Sequence, residues 1–169
     1  PLASDQLTIV NGYTFTSYNE LGDDFIVSAG IYTRAVNSLE SDKDVRVSKR
    51  GNIPYNRLRG FERNKVGPID NEDYIGGNYV TALNFATNLP GLFPTVENVD
   101  ISYFIDVANV WGVDYNSSLD DSNTIRTSIG VGIDWLSVLG PINFSLAQPL
   151  TKAKTDQTET FRFNLGTTF

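Results

Sequence analysis

The feature that most constrains this chain is alternation. Segment after segment places an apolar residue at every second position, over stretches of about ten residues. The last, TETFRFNLGTTF, puts Phe161, Phe163, Leu165 and Phe169 on one face and Arg162, Asn164, Gly166 and Thr168 on the other. In GPINFSLAQPL, Ile142, Phe144 and Leu146 oppose Asn143, Ser145 and Ala147. TIRTSIGVGIDWL sets Ile125, Ile129, Val131, Ile133 and Trp135 against Arg126, Ser128, Gly130, Gly132 and Asp134. VDISYFIDVANVW sets Val99, Ile101, Tyr103, Ile105, Val107 and Trp111 against Asp100, Ser102 and Asp106. IGGNYVTALNFATNL sets Tyr79, Leu83, Phe85 and Leu89 against Gly76, Asn78, Ala82, Asn84 and Ala86. QLTIVNGYTFTSY and DDFIVSAGIYTRAV are noisier but still strand-like, which brings the count to seven strands.

A sheet that is apolar on one face must hide that face. A β-sandwich or a lipocalin-like barrel turns it inward, and a transmembrane β-barrel turns it out to lipid. The opposite face favours the membrane barrel. It is rich in Gly, Ser and Asn with a few charges, which suits a wet or plugged lumen better than a water-facing surface. About 9–11 residues per strand suffice to cross a bilayer, and most of these segments qualify. The links support the same reading. NELGD, PGLFPTVE and VLGP on one rim are short, while residues 39–74, VDYNSSLDDSN and TKAKTDQ on the other are longer and polar. Seven antiparallel strands cannot close on themselves without a parallel seam. Either a strand near Pro1–Asp5 escapes notice, or the chain is the C-terminal part of a larger barrel; the second is favoured.

Composition narrows the function. The chain has 169 residues, a length suited to one domain, and a net charge of −7, which argues against a nucleic-acid surface. Histidine, cysteine and methionine are absent, which removes disulfides, thiolate chemistry, Cys/His metal sites and Ser-His catalysis. No Ser, Asp or Glu cluster looks catalytic, so no enzyme activity, cofactor or metal is expected. No run approaches the ~18 apolar residues of a transmembrane helix. With neither a signal peptide nor an initiator methionine, a processed chain or an excised piece is expected.

One stretch resists the sheet pattern. RLRGFERN, residues 57–64, sits in the 39–74 link, which holds eight of the thirteen Lys and Arg residues beside seven acids. Most of these charges read as a solvated loop. LRGF does not. A turn whose glycine permits close backbone approach explains it, with Phe61 packing and Arg59 reaching a buried acid. Asp106 and Asp134 both lie on the polar face between apolar neighbours, and a charge shielded from water needs a partner. Arg59 with Asp106 is the expected pair. Asp134 is expected to pair with Arg126 or Arg162, contacts that can be purely structural.

LRGFERNKVGPID, IGGNYVTALNF, the run from FIDVANVWGVDYN to SVLGPINFSLAQPL, and the closing FRFNLGTTF together resemble the C-terminal barrel region of the BamA family. These are the outer-membrane protein assembly factors of the bacterial surface antigen superfamily. The resemblance covers essentially the whole chain and is strongest from Asn56 onward. It implies that residues 1–169 are the C-terminal segment of a sixteen-stranded barrel that follows periplasmic POTRA domains. The loop at about 39–74 would fold into the lumen through Arg59, Gly60 and Phe61, and Asp106 matches the acid that the arginine contacts. A second family acid is replaced here by Asn84. Gly166 resembles a glycine of a kinked, weakly paired last strand, and Phe169 the terminal aromatic of an outer-membrane targeting signal. Phe161, Phe163 and Leu165 would line one side of a lateral gate.

The resemblance further implies a multi-pass protein of the Gram-negative outer membrane. It would fold and insert nascent β-barrel substrates through a weak seam, in contact with the lipid bilayer and accessory assembly lipoproteins. A related polypeptide-secreting translocator or a passive porin-like barrel are the alternatives. A fragment of this extent is expected to be unable to insert substrates by itself.

Overall fold

The alternating segments become strands because β-branched and aromatic residues fit a pleated surface and every second side chain shares a face. The computed structural model describes residues 6–22, 25–89, 98–119, 124–138 and 140–166. In chain order its strands are β1 (Thr8–Glu20), β2 (Ile26–Ser38), β3 (Ile69–Asp70), β4 (Asp73–Tyr74), β5 (Tyr79–Asn88), β6 (Val99–Trp111), β7 (Arg126–Ser137), β8 (Gly140–Thr151) and β9 (Phe161–Leu165). Strands β3 and β4 form a small hairpin inside the long link. The other seven make one antiparallel sheet in the order β1-β2-β5-β6-β7-β8-β9. Pro1–Asp5 and Phe169 lie outside the described residues.

The two faces of this sheet have different fates. On one, Phe85, Tyr103, Ile105, Ile129, Trp135, Leu146, Phe161, Phe163 and Leu165 are all exposed, with Tyr103 at 53% and Leu146 at 55%. A sandwich or lipocalin-like core requires those rows to be buried, and they are open. An apolar surface of this extent marks a lipid or partner interface.

The other face is covered by residues 39–78. Ile53, Leu58, Phe61 and Val66 of this loop form an apolar cluster with Val80, Ala82, Ala108 and Val110 of the sheet, with Tyr32 packed against it. The covered face is therefore greasier at its centre than the Gly/Ser/Asn reading anticipates. Phe104, Ala108 and Val110 share a face with Asp106 because that is where the loop seats. Burying a side chain such as Leu58 or Phe61 stabilises by about 1.5–3 kcal/mol, which is enough to hold an otherwise polar loop down.

Register places one row of the covered face across five strands: Gly30, Asn84, Asp106, Ser128 and Pro149. Pro149 matters for the last strand, which begins at Phe161 where the sequence reading starts it at Thr158. Strand β9 pairs with β8 from Phe161 to Leu165, and two more bonds extend the ladder, Gly166 N–H to the Pro141 carbonyl at 3.3 Å at one end and Ala147 N–H to the Thr160 carbonyl at 2.9 Å at the other. Two residues on, at the next position on that edge, Pro149 has no N–H to give. The ladder stops there.

Candidate functional site

Residues 57–61 press onto the centre of the covered face. The Arg57 N–H donates to the Pro54 carbonyl at 2.9 Å, and this turn brings the chain down at Leu58. Gly60 has φ +89, in the region glycine occupies without strain. A Cβ there would stand 3.1 Å from Ala147 Cβ and 3.3 Å from Ser128 Cβ, so the backbone itself lies on β7 and β8. Phe61 beside it is 1% exposed.

This approach delivers Arg59 to Asp106. The guanidinium Nε and Nη2 each donate to a different carboxylate oxygen at 2.8 Å, and the Arg59 backbone N–H donates to Oδ2 at 3.0 Å. Asn84, opposite Asp106 in the register, donates its Nδ2 to Oδ1 at 2.8 Å. The two oxygens thus accept four hydrogen bonds, about the full capacity of a carboxylate. That saturation is what allows Asp106 to be 0% exposed. The guanidinium also stacks 3.3 Å above the centroid of Phe104. A Cβ on Gly130 would come within 2.5 Å of Phe104 Cζ, so the glycine leaves room for the ring on which Arg59 rests.

Asn84 serves the acid rather than Arg59. Its Nδ2 also donates to the Arg57 carbonyl at 2.9 Å, and its Oδ1 accepts from Arg57 Nη1 at 3.2 Å. An amide can donate to Asp106; an ionised carboxylate at that position would repel it.

The pairing expected for Asp134 does not form. Asp134 is exposed toward the far end of β7 and accepts from Asn143 Nδ2, its register partner on β8. Arg126 lies eight positions away, about 26 Å at strand rise, out of reach of any side chain. It is fully buried against Asp156, with Nε to Oδ2 at 2.9 Å and Nη2 to Oδ1 at 3.1 Å. Arg162 stands opposite Ser145 and turns toward the loop, donating to the carbonyls of Tyr55 and Phe61 and to Glu159.

Two anchors have no counterpart in the sequence reading. Asp156, in the link before β9, also accepts the Gly67 N–H at 3.2 Å and the Ala153 N–H at 2.7 Å. It therefore pins the loop's return limb to β7. At the outer end Arg50 donates to Asp114 at 2.7 Å and lies over Tyr115. Burial pushes the Asp114 carboxyl up, but the Val45 N–H, the Asn78 amide and Arg50 outweigh it and hold the group below its ordinary value. The only advance signal for either acid was its place in a long polar link. Chemically, these groups occupy one another. The arrangement clamps a loop to a sheet.

The sequence profile of the Omp85 superfamily domain matches residues 5–169. The chain belongs to the Omp85 superfamily. Among Omp85 relatives, the outer membrane protein assembly factor BamA of Neorickettsia risticii is 28% identical over 117 residues, 68% of this chain and 16% of that protein. The BamA of Neisseria meningitidis serogroup B is 32% identical over 143 residues, 66% of this chain and 17% of that protein. The chain thus spans about a sixth of the length of these curated relatives. The crystal structure of BamA from Haemophilus ducreyi lacking POTRA domains 1–3 superposes with a TM-score of 0.81 at 25% identity, over 96% of this chain and 35% of that one.

Within the Omp85 sheet, Phe161, Phe163 and Leu165 lie on the open apolar face of β9, where Phe163 packs 5.2 Å from Phe144. Gly166 follows β9, its N–H donating to the Pro141 carbonyl at 3.3 Å.

Proposed function

We propose that this chain supplies the C-terminal strands of an outer-membrane assembly factor that folds and inserts β-barrel proteins through a weak seam at β9. The observation that carries the reading is the last strand itself. Its ladder with β8 stops at Ala147, opposite Thr160, whereas the ladder between β8 and β7 continues to Thr151. Its outer edge has no partner among the described residues. Unpaired N–H and C=O groups on such an edge template an incoming strand. A substrate that adds strand by strand there enters the bilayer without exposing unpaired backbone to lipid.

The loop has a matching role in this reading. The covered face becomes the lumen side of a sixteen-stranded barrel, and Arg59, Gly60 and Phe61 plug it, latched by Asp106. The open apolar face meets the lipid of a Gram-negative outer membrane, which the chain crosses repeatedly. Nascent barrels are the substrates, and accessory lipoproteins act on the full-length protein. Strand exchange needs no catalytic residue, so the proposed activity is not enzymatic.

The test is assembly of a heat-modifiable barrel substrate in liposomes carrying the full-length parent protein. A disulfide tying β9 to the opposing edge of the barrel is expected to stop assembly, and reduction to restore it. This segment contributes no cysteine of its own to interfere. Assembly that proceeds at an undiminished rate through the closed disulfide would reject the proposal.

A further inference from the structure

The residues leading into β9 turn away from β8 and pair with the loop instead. Glu159 N–H donates to the Gly60 carbonyl at 3.1 Å, Glu62 N–H to the Gln157 carbonyl at 3.0 Å, and Gln157 N–H to the Lys65 carbonyl at 3.0 Å. The first two bracket an antiparallel bridge between Phe61 and Thr158. The loop tip thus stands where a neighbouring strand would, and Pro149 explains why β8 does not compete for the place.

Arg162 reinforces the join from within β9. Its side chain is 9% exposed, and each of its three nitrogens is engaged: Nε with Glu159 at 3.0 Å, Nη1 with the Tyr55 carbonyl and Nη2 with the Phe61 carbonyl. One side chain on the edge strand therefore spans the whole turn that presents Arg59. A one-residue slip of β9 would carry Arg162 to the opposite face, and a two-residue slip would move it about 7 Å. Either displacement breaks both carbonyl contacts.

We infer that the loop tip and β9 form one cooperative unit, in which the tip is the pairing partner of residues 157–159 and Arg162 is the positioning residue that joins them. The strand re-pairs only when the tip lifts, and the tip lifts more easily when the strand has moved, because coupling between two sites is reciprocal. The relevance of this device to substrate insertion rests on the seam reading above; the coupling itself does not.

Hydrogen exchange of the full-length protein in nanodiscs, at rising sub-denaturing urea, tests it. In the wild type, the amides of Glu62, Gln157, Glu159 and β9 are expected to open with one urea dependence, distinct from that of β6 and β7. Arg162→Lys keeps the charge but loses the three-way fork. It is expected to speed exchange at least tenfold in both the tip and β9, leaving β6 and β7 unchanged. Two separate urea dependences in the wild type overturn the inference, as does a variant that frees the tip while β9 keeps its protection. Should Arg162→Lys fail to fold, the wild-type measurement decides alone. Shared opening alongside unimpaired assembly through a locked seam would reject the insertase reading and leave the coupling intact.

Discussion

Arg59 meets Asp106 through three hydrogen bonds, two from its guanidinium and one from its own backbone N–H. The backbone bond means that the acid reads the position of the chain as well as the charge. Replacing Asp106 with Ala leaves a cation stacked on Phe104 without its carboxylate and removes one of the two acceptors of the Asn84 amide. The expected cost is about 3–5 kcal/mol, as for breaking a buried pair. Arg59→Lys is expected to be nearly as damaging, because an ammonium cannot engage both oxygens in the plane of the fork. Urea-induced release of the loop, followed by protease cleavage near residues 57–64, measures both.

Gly60 is the second test of the latch. An alanine there must hold φ +89 and place its Cβ 3.1 Å from Ala147. The left-handed backbone alone costs about 1–2 kcal/mol, and the crowding adds to it. Gly60→Ala should lower the urea midpoint of loop release while Gly22→Ala should not shift it. Gly22 also has positive φ, but in a turn outside the loop with open space around it.

Much of this was legible in advance because two physical signals were strong. Period-two alternation fixes which side chains share a face, so the strands and the open apolar rows could be read directly. The LRGF tip was legible because an arginine between Leu58 and a Gly-Phe pair has no reason to face water. Partnership among the remaining charges was not legible. Asp156 sits in TKAKTDQ, a link whose composition is that of a solvated loop, and nothing local shows that Arg126 reaches it. The centre of the covered face was misread for a related reason. Ala108 and Val110 look out of place among polar residues until Leu58, Phe61 and Val66, distant in sequence, are brought onto them, and Phe104 until Arg59 stacks on it. The late start of the last strand did have a signal, Pro149 within an otherwise regular strand.

Asp156 and Asp134 give opposite predictions from the same residue type. Asp156 and Arg126 have side chains that are both 0% exposed, so Asp156→Ala leaves a buried guanidinium short of its carboxylate and is expected to cost about 3–5 kcal/mol. Asp134 is exposed with Asn143 as its partner, and Asp134→Ala should stay within about 0.5 kcal/mol. Thermal or urea unfolding of the two variants side by side separates them. Equal effects would mean that the loop's return limb is not pinned through Asp156.

Acid should loosen the outer end of the loop. Asp114 is held below its ordinary pKa in the folded chain, so its contribution is present above the unfolded value of about 3.9 and is lost as pH falls through the lower, folded value. The clamp on Val45 and Arg50 is therefore expected to be indifferent to pH between about 5 and 8 and to open only in stronger acid. Exchange at the Val45 amide, which donates to Asp114 at 2.7 Å, reports this directly once corrected for intrinsic rates. Asp114→Asn should abolish the acid transition.

The last prediction concerns the chain in isolation. Among the described residues, strands β1 and β9 end the sheet and do not pair with each other, so each leaves one edge unpaired. The apolar rows on the open face, from Phe85 through Tyr103 and Ile129 to Phe163, lack cover as well. Both features drive association in water, the first by strand addition and the second by burial. The isolated chain is expected to sediment without detergent and to disperse with it. Reconstituted into liposomes, it should not assemble a small barrel substrate, because a seam needs two facing edges and five strands separate β1 from β9 in this sheet. Monodisperse behaviour without detergent would show that the apolar rows are hidden in solution. Assembly by the isolated chain would show that one edge is sufficient, which would place the whole activity in β9.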